Sequence, residues 1–446
     1  MILDWTGSTS VLSTERKIGS KGAIGGIPSG CLQYMSSMNR TFRLSVPLLF
    51  SLNALASVPP TPRVSAGKTL QANPTSNAAF LNDGKFGSAW NYSAGSWAAV
   101  KLGAGPTKVL VNWNDASVNW SDVVPSSGAC NNGTTYPSAY RILTSSNSTN
   151  GSDGTWDTLV RVTGNVVAGR SHVIEFAGAS WLKMLVVSGS GRMDELEVYD
   201  ASNGASDSWF FMGTSISQMT FKSPVPDSNF SDLVHARVPS NSPSFVRGGV
   251  PCINSSQVLS SITTYLDAMA GIHFLAIEMG TNDAWGGGDG NLAKYVRNMQ
   301  AIIDSAKARG MEPILARVLS TDSTRTSGKW QVHPGYPKAI DSLAKKNKLI
   351  MGPNLDSMFR AHPELLNADG VHPSPAAAQI ILRMWADAMT RNVYMSSASV
   401  SPARRLRIVR AAAGSDALGR PSRGQAHGGR LDGTGAKLNL STKPTR

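Results

Sequence analysis

Apolar strand-like runs alternate with amphipathic stretches from residue 208 to about residue 394 of this 446-residue chain. The expected strands cover 208–212, 273–279, 312–318 and 348–352, and the expected helices cover 255–270, 291–309, 336–346 and 375–393. Alternation of this kind predicts a parallel sheet with helices on both faces. Ligands of such sheets bind at the carboxyl ends of the strands, so the residues directly after each strand are the first candidates for a functional site.

Three short motifs occupy such positions. Gly213-Thr214-Ser215 follows the first expected strand, Gly280-Thr281-Asn282-Asp283 follows the second, and Asp369-Gly370-Val371-His372 precedes the last expected helix. Each motif alone is equally typical of a simple turn, because Gly, Asn and Asp are turn formers. A serine hydroxyl becomes a useful nucleophile only when a base takes its proton, and a histidine oriented by an aspartate is such a base. The three motifs together therefore favour a hydrolytic site.

In this order the motifs resemble those of the SGNH (GDSL-type) hydrolases. The resemblance implies a three-layer α/β fold with a doubly wound, flavodoxin-like parallel sheet. It also implies that Ser215 is the nucleophile, His372 the general base and Asp369 the group that orients the base. Neither a cofactor nor a metal ion is expected. The first motif departs from the family pattern, since Thr214 stands where the family has aspartate, and the support of this turn must therefore differ.

The same resemblance implies an oxyanion hole with three contributors. They are the backbone N–H of Ser215, a backbone N–H in the segment 247–252 and the side-chain amide of Asn282. Within the segment 247–252, the family glycine aligns with Cys252, and Gly249 is the other candidate. Cysteine can serve there because only a backbone N–H is needed.

Residues 67–200 contain short alternating runs separated by polar turns, which predict an all-β sandwich. Segments 82–90, 154–159 and 193–199 resemble discoidin-like members of the galactose-binding jelly-roll superfamily. This resemblance implies a jelly-roll sandwich ahead of the hydrolase region, and a glycan-binding role. Three tryptophans in the region are either sugar-stacking residues or sandwich core, and the core interpretation is favoured for each: Trp90, Trp113 and Trp120.

The net charge of +13 does not predict a nucleic-acid partner, because much of it lies at one end of the chain. Residues 401–446 carry ten Lys and Arg against two Asp, and the middle of the chain has no basic helix with interleaved aromatics. The segment 395–446 is rich in Gly, Arg, Ala and Ser, which predicts a disordered basic tail. The polar segment 201–207 is expected to link the sandwich to the hydrolase region, 208–394.

The N-terminal region contains the pattern of a secretory signal peptide at 38–56, with a basic start, an apolar run and the cleavage-site sequence Ala54-Leu55-Ala56. Residues 1–37 are interpreted as a non-native extension and 57–66 as a linker. The apolar run is too short for a transmembrane helix. A secreted or periplasmic location would leave two cysteines, Cys130 and Cys252, which either pair in an oxidising compartment or stay free.

The leading hypothesis is a secreted serine esterase that removes acyl groups, foremost acetyl, from a polysaccharide or a small ester. The carbohydrate substrate is inferred only from the appended sandwich and the signal peptide, which is an argument by analogy. One alternative is a lipase or acyltransferase of the same fold that acts on small esters or envelope glycans. The other alternative is a carbohydrate-binding protein whose hydrolase region has lost its catalytic activity, with Thr214 in place of the family aspartate as the first sign of that loss. No transmembrane segment is expected.

Overall fold

The computed structural model describes residues 58–395, apart from residue 104 and the segments 125–129, 131–134, 223–227 and 327–330. The predicted extension 1–37, the predicted signal peptide and the predicted basic tail beyond residue 395 lie outside the described residues. Of the helices in the described part, none is both long enough and apolar enough to cross a membrane.

Two antiparallel sheets form from residues 71–200. One sheet has the strand order β1-β3-β8-β5-β6 and the other has the order β2-β9-β4-β7. The strands are β1 Gln71–Asn73, β2 Trp90–Tyr92, β3 Trp97–Lys101, β4 Lys108–Asp115, β5 Ala139–Ser145, β6 Asp157–Val162, β7 Gly169–Glu175, β8 Trp181–Ser188 and β9 Gly191–Asp200. Trp90 and Trp113 belong to the shared apolar core of the two sheets. The core interpretation of these two tryptophans is confirmed, because each is at most 1% exposed.

The second half contains a five-stranded parallel sheet with the order β11-β10-β12-β13-β14. Its strands are β10 Ser208–Gly213, β11 Ser244–Gly249, β12 Phe274–Glu278, β13 Glu312–Arg317 and β14 Met351–Asn354. The helices are α1 Ser215–Lys222, α2 Phe230–His235, α3 Ser255–Ser260, α4 Ile262–Asp267, α5 Leu292–Ala308, α6 Gly335–Asn347, α7 Leu355–Ala361 and α8 Pro375–Met389. Strand β11 lies on one side of β10, and β12 and the later strands lie on the other side, so the strand order reverses between β10 and β12. Open α/β sheets bind their ligands at such a point.

Strand β10 is buried along its whole length, as its continuous apolar run predicts. Phe210 and Met212 pack into one apolar cluster with α3 to α6, whereas Trp209 and Phe211 pack into a second cluster with α1, α2, α7 and α8. Since successive side chains of a strand point to opposite faces, the helices cover both faces of the sheet.

Several details differ from the expected elements, among them the helices α1, α2 and α7, which were not expected. The expected helix 255–270 is two helices, α3 and α4, separated at Ser261. The expected helix 375–393 ends at Met389 and continues as a π-helical turn, Thr390–Tyr394. Strand β11 was not expected, because it is short, ends in two glycines and carries the charged Arg247 in its middle.

The sandwich and the α/β region, residues 208–394, share a buried interface. Trp120, which follows β4, is fully buried and stacks on Tyr265 of α4 with ring centroids 5.7 Å apart. Arg247 of β11 forms an ion pair with Asp194 of β9, and both side chains are 0% exposed. The Ser171 hydroxyl donates a hydrogen bond of 2.7 Å to the Ala270 carbonyl. The described parts of the two regions therefore belong to one compact unit rather than to two tethered bodies.

Candidate active site

Ser215 is the first residue of α1 and lies just beyond the carboxyl end of β10. Its side chain is partly accessible, while its neighbours Thr214 and Ile216 are completely buried. The first N–H groups of a helix have no carbonyl partner within the helix, and this end of a helix favours negative charge. This position leaves the Ser215 side chain partly accessible at the carboxyl edge of the sheet.

His372 and Asp369 reach the same place from the loop before α8. The distance from Ser215 Oγ to His372 Nε2 is 2.8 Å, and the distance from His372 Nδ1 to Asp369 Oδ2 is also 2.8 Å. The loop is closed by a hydrogen bond from the Asn367 N–H to the His372 carbonyl, and α8 begins directly after it with a capping serine, Ser374. The three residues that the sequence predicts as nucleophile, base and orienting acid thus form one continuous chain of hydrogen bonds.

The loop that carries Asp369 favours the ionised form of its carboxyl group. Burial acts to raise the pKa of Asp369, but hydrogen bonds from the backbone N–H groups of His372 and Val371 and from the His372 imidazole outweigh it, so the pKa lies below its ordinary value. The backbone bonds measure 2.9 Å and 2.8 Å and go to Oδ1, which leaves Oδ2 for the imidazole. An ionised carboxylate at this place can stabilise an imidazolium.

Asn282 and Asp283 tie the end of β12 to the segment before α3. The Asn282 amide donates a hydrogen bond of 2.8 Å to the Ile253 carbonyl, and the amide has a second N–H hydrogen that can serve a substrate oxygen. Asp283 accepts hydrogen bonds from the hydroxyl and the backbone N–H of Ser255. Gly280 precedes this pair with φ +134°, and a side chain there would meet Val318, so only glycine fits the turn.

The two candidates for the remaining oxyanion donor lie in different settings. Gly249 ends β11, is buried against Gln218, and accepts a hydrogen bond from the Trp120 N–H through its carbonyl. Cys252 lies in an exposed turn with φ +62°, a conformation that favours glycine. Cys252 is disulfide-bonded to Cys130, with the two Cα atoms 5.9 Å apart. Of the two alternatives for these cysteines, the structure therefore has the paired one and not two free thiols. The choice between Gly249 and Cys252 stays open.

Glu278 is a residue that the sequence analysis missed. It is 2% exposed, and its Oε2 accepts hydrogen bonds from the hydroxyls of Thr214 and Ser217 at 2.8 Å and 3.1 Å. Burial raises the pKa of Glu278, and the hydrogen bonds from Thr214 and Ser217 oppose this effect. An acidic residue at the end of an otherwise apolar strand was the available signal, since an unpaired charge is rarely buried.

Asn282→Ala is expected to lower kcat by roughly two to three orders of magnitude with little change in KM, because an oxyanion donor acts mainly in the transition state. Steady-state kinetics on p-nitrophenyl acetate would measure both constants. Asn298→Ala is the matched control, since the Asn298 amide also supports α3, through hydroxyls of Ser255 and Ser256. A raised KM with normal kcat would make Asn282 a substrate-binding residue instead.

Within the described residues, no three His, Cys, Asp or Glu side chains are grouped so that they could hold a metal ion. His172, for example, is buried in the sandwich with its Nε2 2.7 Å from the Tyr140 hydroxyl. The histidine that takes part in the site described here is His372.

No protein-family model matches this chain, and no curated protein matches it. Among solved structures, a lipase/acylhydrolase from Enterococcus faecalis is 19% identical, with a TM-score of 0.34 over 41% of this chain and 95% of its own. An acetylxylan esterase from Geobacillus stearothermophilus is 16% identical, with a TM-score of 0.33 over 44% and 97%. An α/β hydrolase from the metagenome of Lake Arreo, Spain, is 16% identical, with a TM-score of 0.32 over 42% and 95%. Similarity this distant assigns no activity, so the function must be argued from the site itself.

Proposed function

We propose that the protein is an SGNH-type serine esterase that removes acyl groups, foremost acetyl, from a carbohydrate. The observation that carries the proposal is the continuous chain from Ser215 Oγ through His372 to Asp369, with both distances at 2.8 Å. These three hydrogen-bonded residues lie at the carboxyl edge of a parallel sheet, and Ser215 follows β10 at the switch point between β10 and β12. Asn282 lies at the same edge, where an amide can meet a developing oxyanion.

Acylation follows from this geometry. Ser215 Oγ attacks the carbonyl carbon of the ester while its proton passes to His372 Nε2. The negative charge that forms on the carbonyl oxygen is stabilised by the Ser215 N–H, the Asn282 amide and a donor of the segment 249–252. When the ester C–O bond breaks, His372 returns the proton to the departing sugar oxygen, and an acyl-serine remains.

Deacylation repeats these steps with water. His372 Nε2 takes a proton from a water molecule as the water oxygen attacks the acyl carbon, and the proton then goes to Ser215 Oγ as the acyl-serine bond breaks. Asp369 keeps its carboxylate throughout and stabilises the imidazolium in both halves of the reaction. The free acid and the regenerated serine are the products.

The carbohydrate part of the proposal is supported by the sandwich that precedes the hydrolase region, and the discoidin-like resemblance stays a prediction. The secreted or periplasmic location is supported by the Cys130–Cys252 disulfide, because disulfides persist in oxidising compartments. Since the sandwich packs tightly against the α/β region, we infer that it helps to shape the surroundings of Ser215. The Ser117 carbonyl, for instance, accepts a hydrogen bond of 3.4 Å from Gln218 of α1.

Acetate release from a panel of acetylated polysaccharides tests the proposal, with the Ser215→Ala protein as the blank. Release from at least one polysaccharide, and preference for acetyl over longer p-nitrophenyl acyl esters, is the expected result. A preference for long acyl chains would favour a lipase. No hydrolysis of any ester by the folded protein would favour the binding protein with a decayed hydrolase region.

Trp285 is expected to contact the sugar. It is 59% exposed, follows Asn282 by three residues and precedes three glycines that all have positive φ. A largely exposed tryptophan that is close to Asn282 in the chain can pack its ring against the C–H face of a sugar. Trp285→Ala should raise KM about tenfold on acetylated polysaccharide and leave p-nitrophenyl acetate kinetics unchanged.

The matched control for Trp285 is Leu159, which is 42% exposed on β6 of the sandwich. Leu159→Ala should leave KM unchanged on both substrates. If Leu159→Ala raised KM on the polysaccharide and Trp285→Ala did not, the glycan contact would belong to the sandwich instead.

A further inference from the structure

Glu278 places a carboxyl group directly behind the nucleophile turn. It is the last residue of β12 and pairs in register with Gly213, the last residue of β10. Besides the hydroxyls of Thr214 and Ser217, Glu278 Oε2 accepts the Thr214 backbone N–H at 3.3 Å. One carboxylate oxygen thus binds residues on both sides of Ser215. Its other oxygen, Oε1, is buried with no hydrogen-bond partner among the residues that the structure describes.

The Thr214 hydroxyl extends this contact across the turn. It donates to Glu278 and accepts a hydrogen bond of 3.2 Å from the Ile216 N–H. The backbone of Ser215 is therefore fixed between Thr214, which Glu278 binds directly, and Ile216, which Glu278 holds through the Thr214 hydroxyl. Both functional groups of Ser215, the hydroxyl that meets His372 and the N–H assigned to the oxyanion hole, depend on this backbone position.

We propose that Glu278 is the positioning residue of the nucleophile turn, acting through Thr214 and Ser217 rather than on the substrate. The inference rests on the proposed function, because it takes Ser215 as the nucleophile. The first motif lacks the aspartate of the family pattern, and Glu278 supplies a carboxylate to the turn from the neighbouring strand. Preorganised sites need this kind of support, since a misplacement of about 1 Å can reduce the rate about a hundredfold.

The test compares Glu278→Ala with Glu278→Gln. Both are assayed by the rate at which a fluorophosphonate probe labels Ser215 and by kcat and KM on p-nitrophenyl acetate. Glu278→Ala should slow labelling and lower kcat about a hundredfold, with KM changed less than about twofold. Glu278→Gln keeps an acceptor oxygen for Thr214 and Ser217, so it should stay within about fivefold of the wild type.

Asp207 provides a matched control at the opposite end of β10. It is equally buried, and its carboxylate accepts hydrogen bonds from Trp209, Asn241 and Tyr394. Asp207→Ala should lower Tm and leave the labelling rate of the folded protein unchanged. If Glu278→Ala does not fold, as judged by circular dichroism, the pair Thr214→Val and Thr214→Ser decides. The valine variant should label about tenfold more slowly, and the serine variant at the wild-type rate.

Folded Glu278→Ala or Thr214→Val protein that labels at the wild-type rate would overturn the positioning role. Equal losses in Glu278→Ala and Glu278→Gln would also overturn it, because the acceptor oxygen would then not matter. A wild-type protein in which the probe does not label Ser215 would instead overturn the proposed function, and with it the role given to Glu278.

Discussion

Ser215→Ala is expected to lower kcat by at least about a thousandfold while the protein stays folded. Without the hydroxyl there is no atom to form the acyl-enzyme, and the oxyanion donors alone leave only weak catalysis by water. The fold should survive because the Ser215 side chain is only partly buried and its hydroxyl meets His372, not the core. Steady-state hydrolysis of p-nitrophenyl acetate, together with circular dichroism, measures both parts of the expectation.

A surface serine gives the control for this experiment. Ser342 of α6 donates its hydroxyl to the Lys338 carbonyl, and Ser342→Ala should keep wild-type turnover. Turnover at the wild-type rate by Ser215→Ala, in a preparation free of contaminating esterase, would contradict the assignment of the nucleophile. Fluorophosphonate label recovered on any other serine would contradict it equally.

Arg247→Ala is expected to lower the free energy of unfolding by about 3–5 kcal/mol, because it leaves the Asp194 carboxylate buried without its counter-ion. Both side chains of the pair are 0% exposed. Burial raises the pKa of Asp194 to about 6, although the Arg247 guanidinium acts to lower it. Arg247 also donates a hydrogen bond of 2.8 Å to the Phe221 carbonyl and lies 4.4 Å from the ring centre of Phe86.

Chemical denaturation at neutral pH measures this effect. The control is the solvent-accessible pair Arg309–Asp267, whose side chains are 30% and 44% exposed. Arg309→Ala should change the free energy of unfolding by less than about 1 kcal/mol. Similar losses for Arg247→Ala and Arg309→Ala would mean that the buried pair does not hold the sandwich to the α/β region.

Sequence reasoning selected Ser215, Asp369 and His372, which the structure brings within hydrogen-bond distance of one another, because each lies in a short motif whose chemistry depends on a few residue types. Sequence reasoning did not identify Glu278, because its partners, Thr214 and Ser217, are 64 and 61 residues away in the chain. A contact of this kind comes from strand register, and a single sequence does not specify which strands are neighbours. The choice between Gly249 and Cys252 is open for a related reason, since it depends on where a backbone N–H points.

The alternating elements of the sheet were predictable where apolar runs are long, as in β10 and β12. Strand β11 was not predictable, because an arginine in the middle of a strand is typical of a surface position. The sandwich supplies the partners of Arg247: Asp194 pairs with its side chain, and the Asn114 side chain accepts its backbone N–H at 2.9 Å. Trp120 shows the same limit. Its burial follows from insertion beside Tyr265 and Phe210, which belong to the other region of the chain.

The Arg247–Asp194 pair also imposes an order on biosynthesis. Asp194 leaves the ribosome 53 residues before the arginine that neutralises it. Until then the nascent sandwich presents an unfinished sheet face, which includes Leu110 and Val173, the two side chains that pack against Gly271 in the finished protein. N-terminal domains usually fold first during translation. Here the sandwich can complete its native contacts only after the α/β region has begun to emerge from the ribosome.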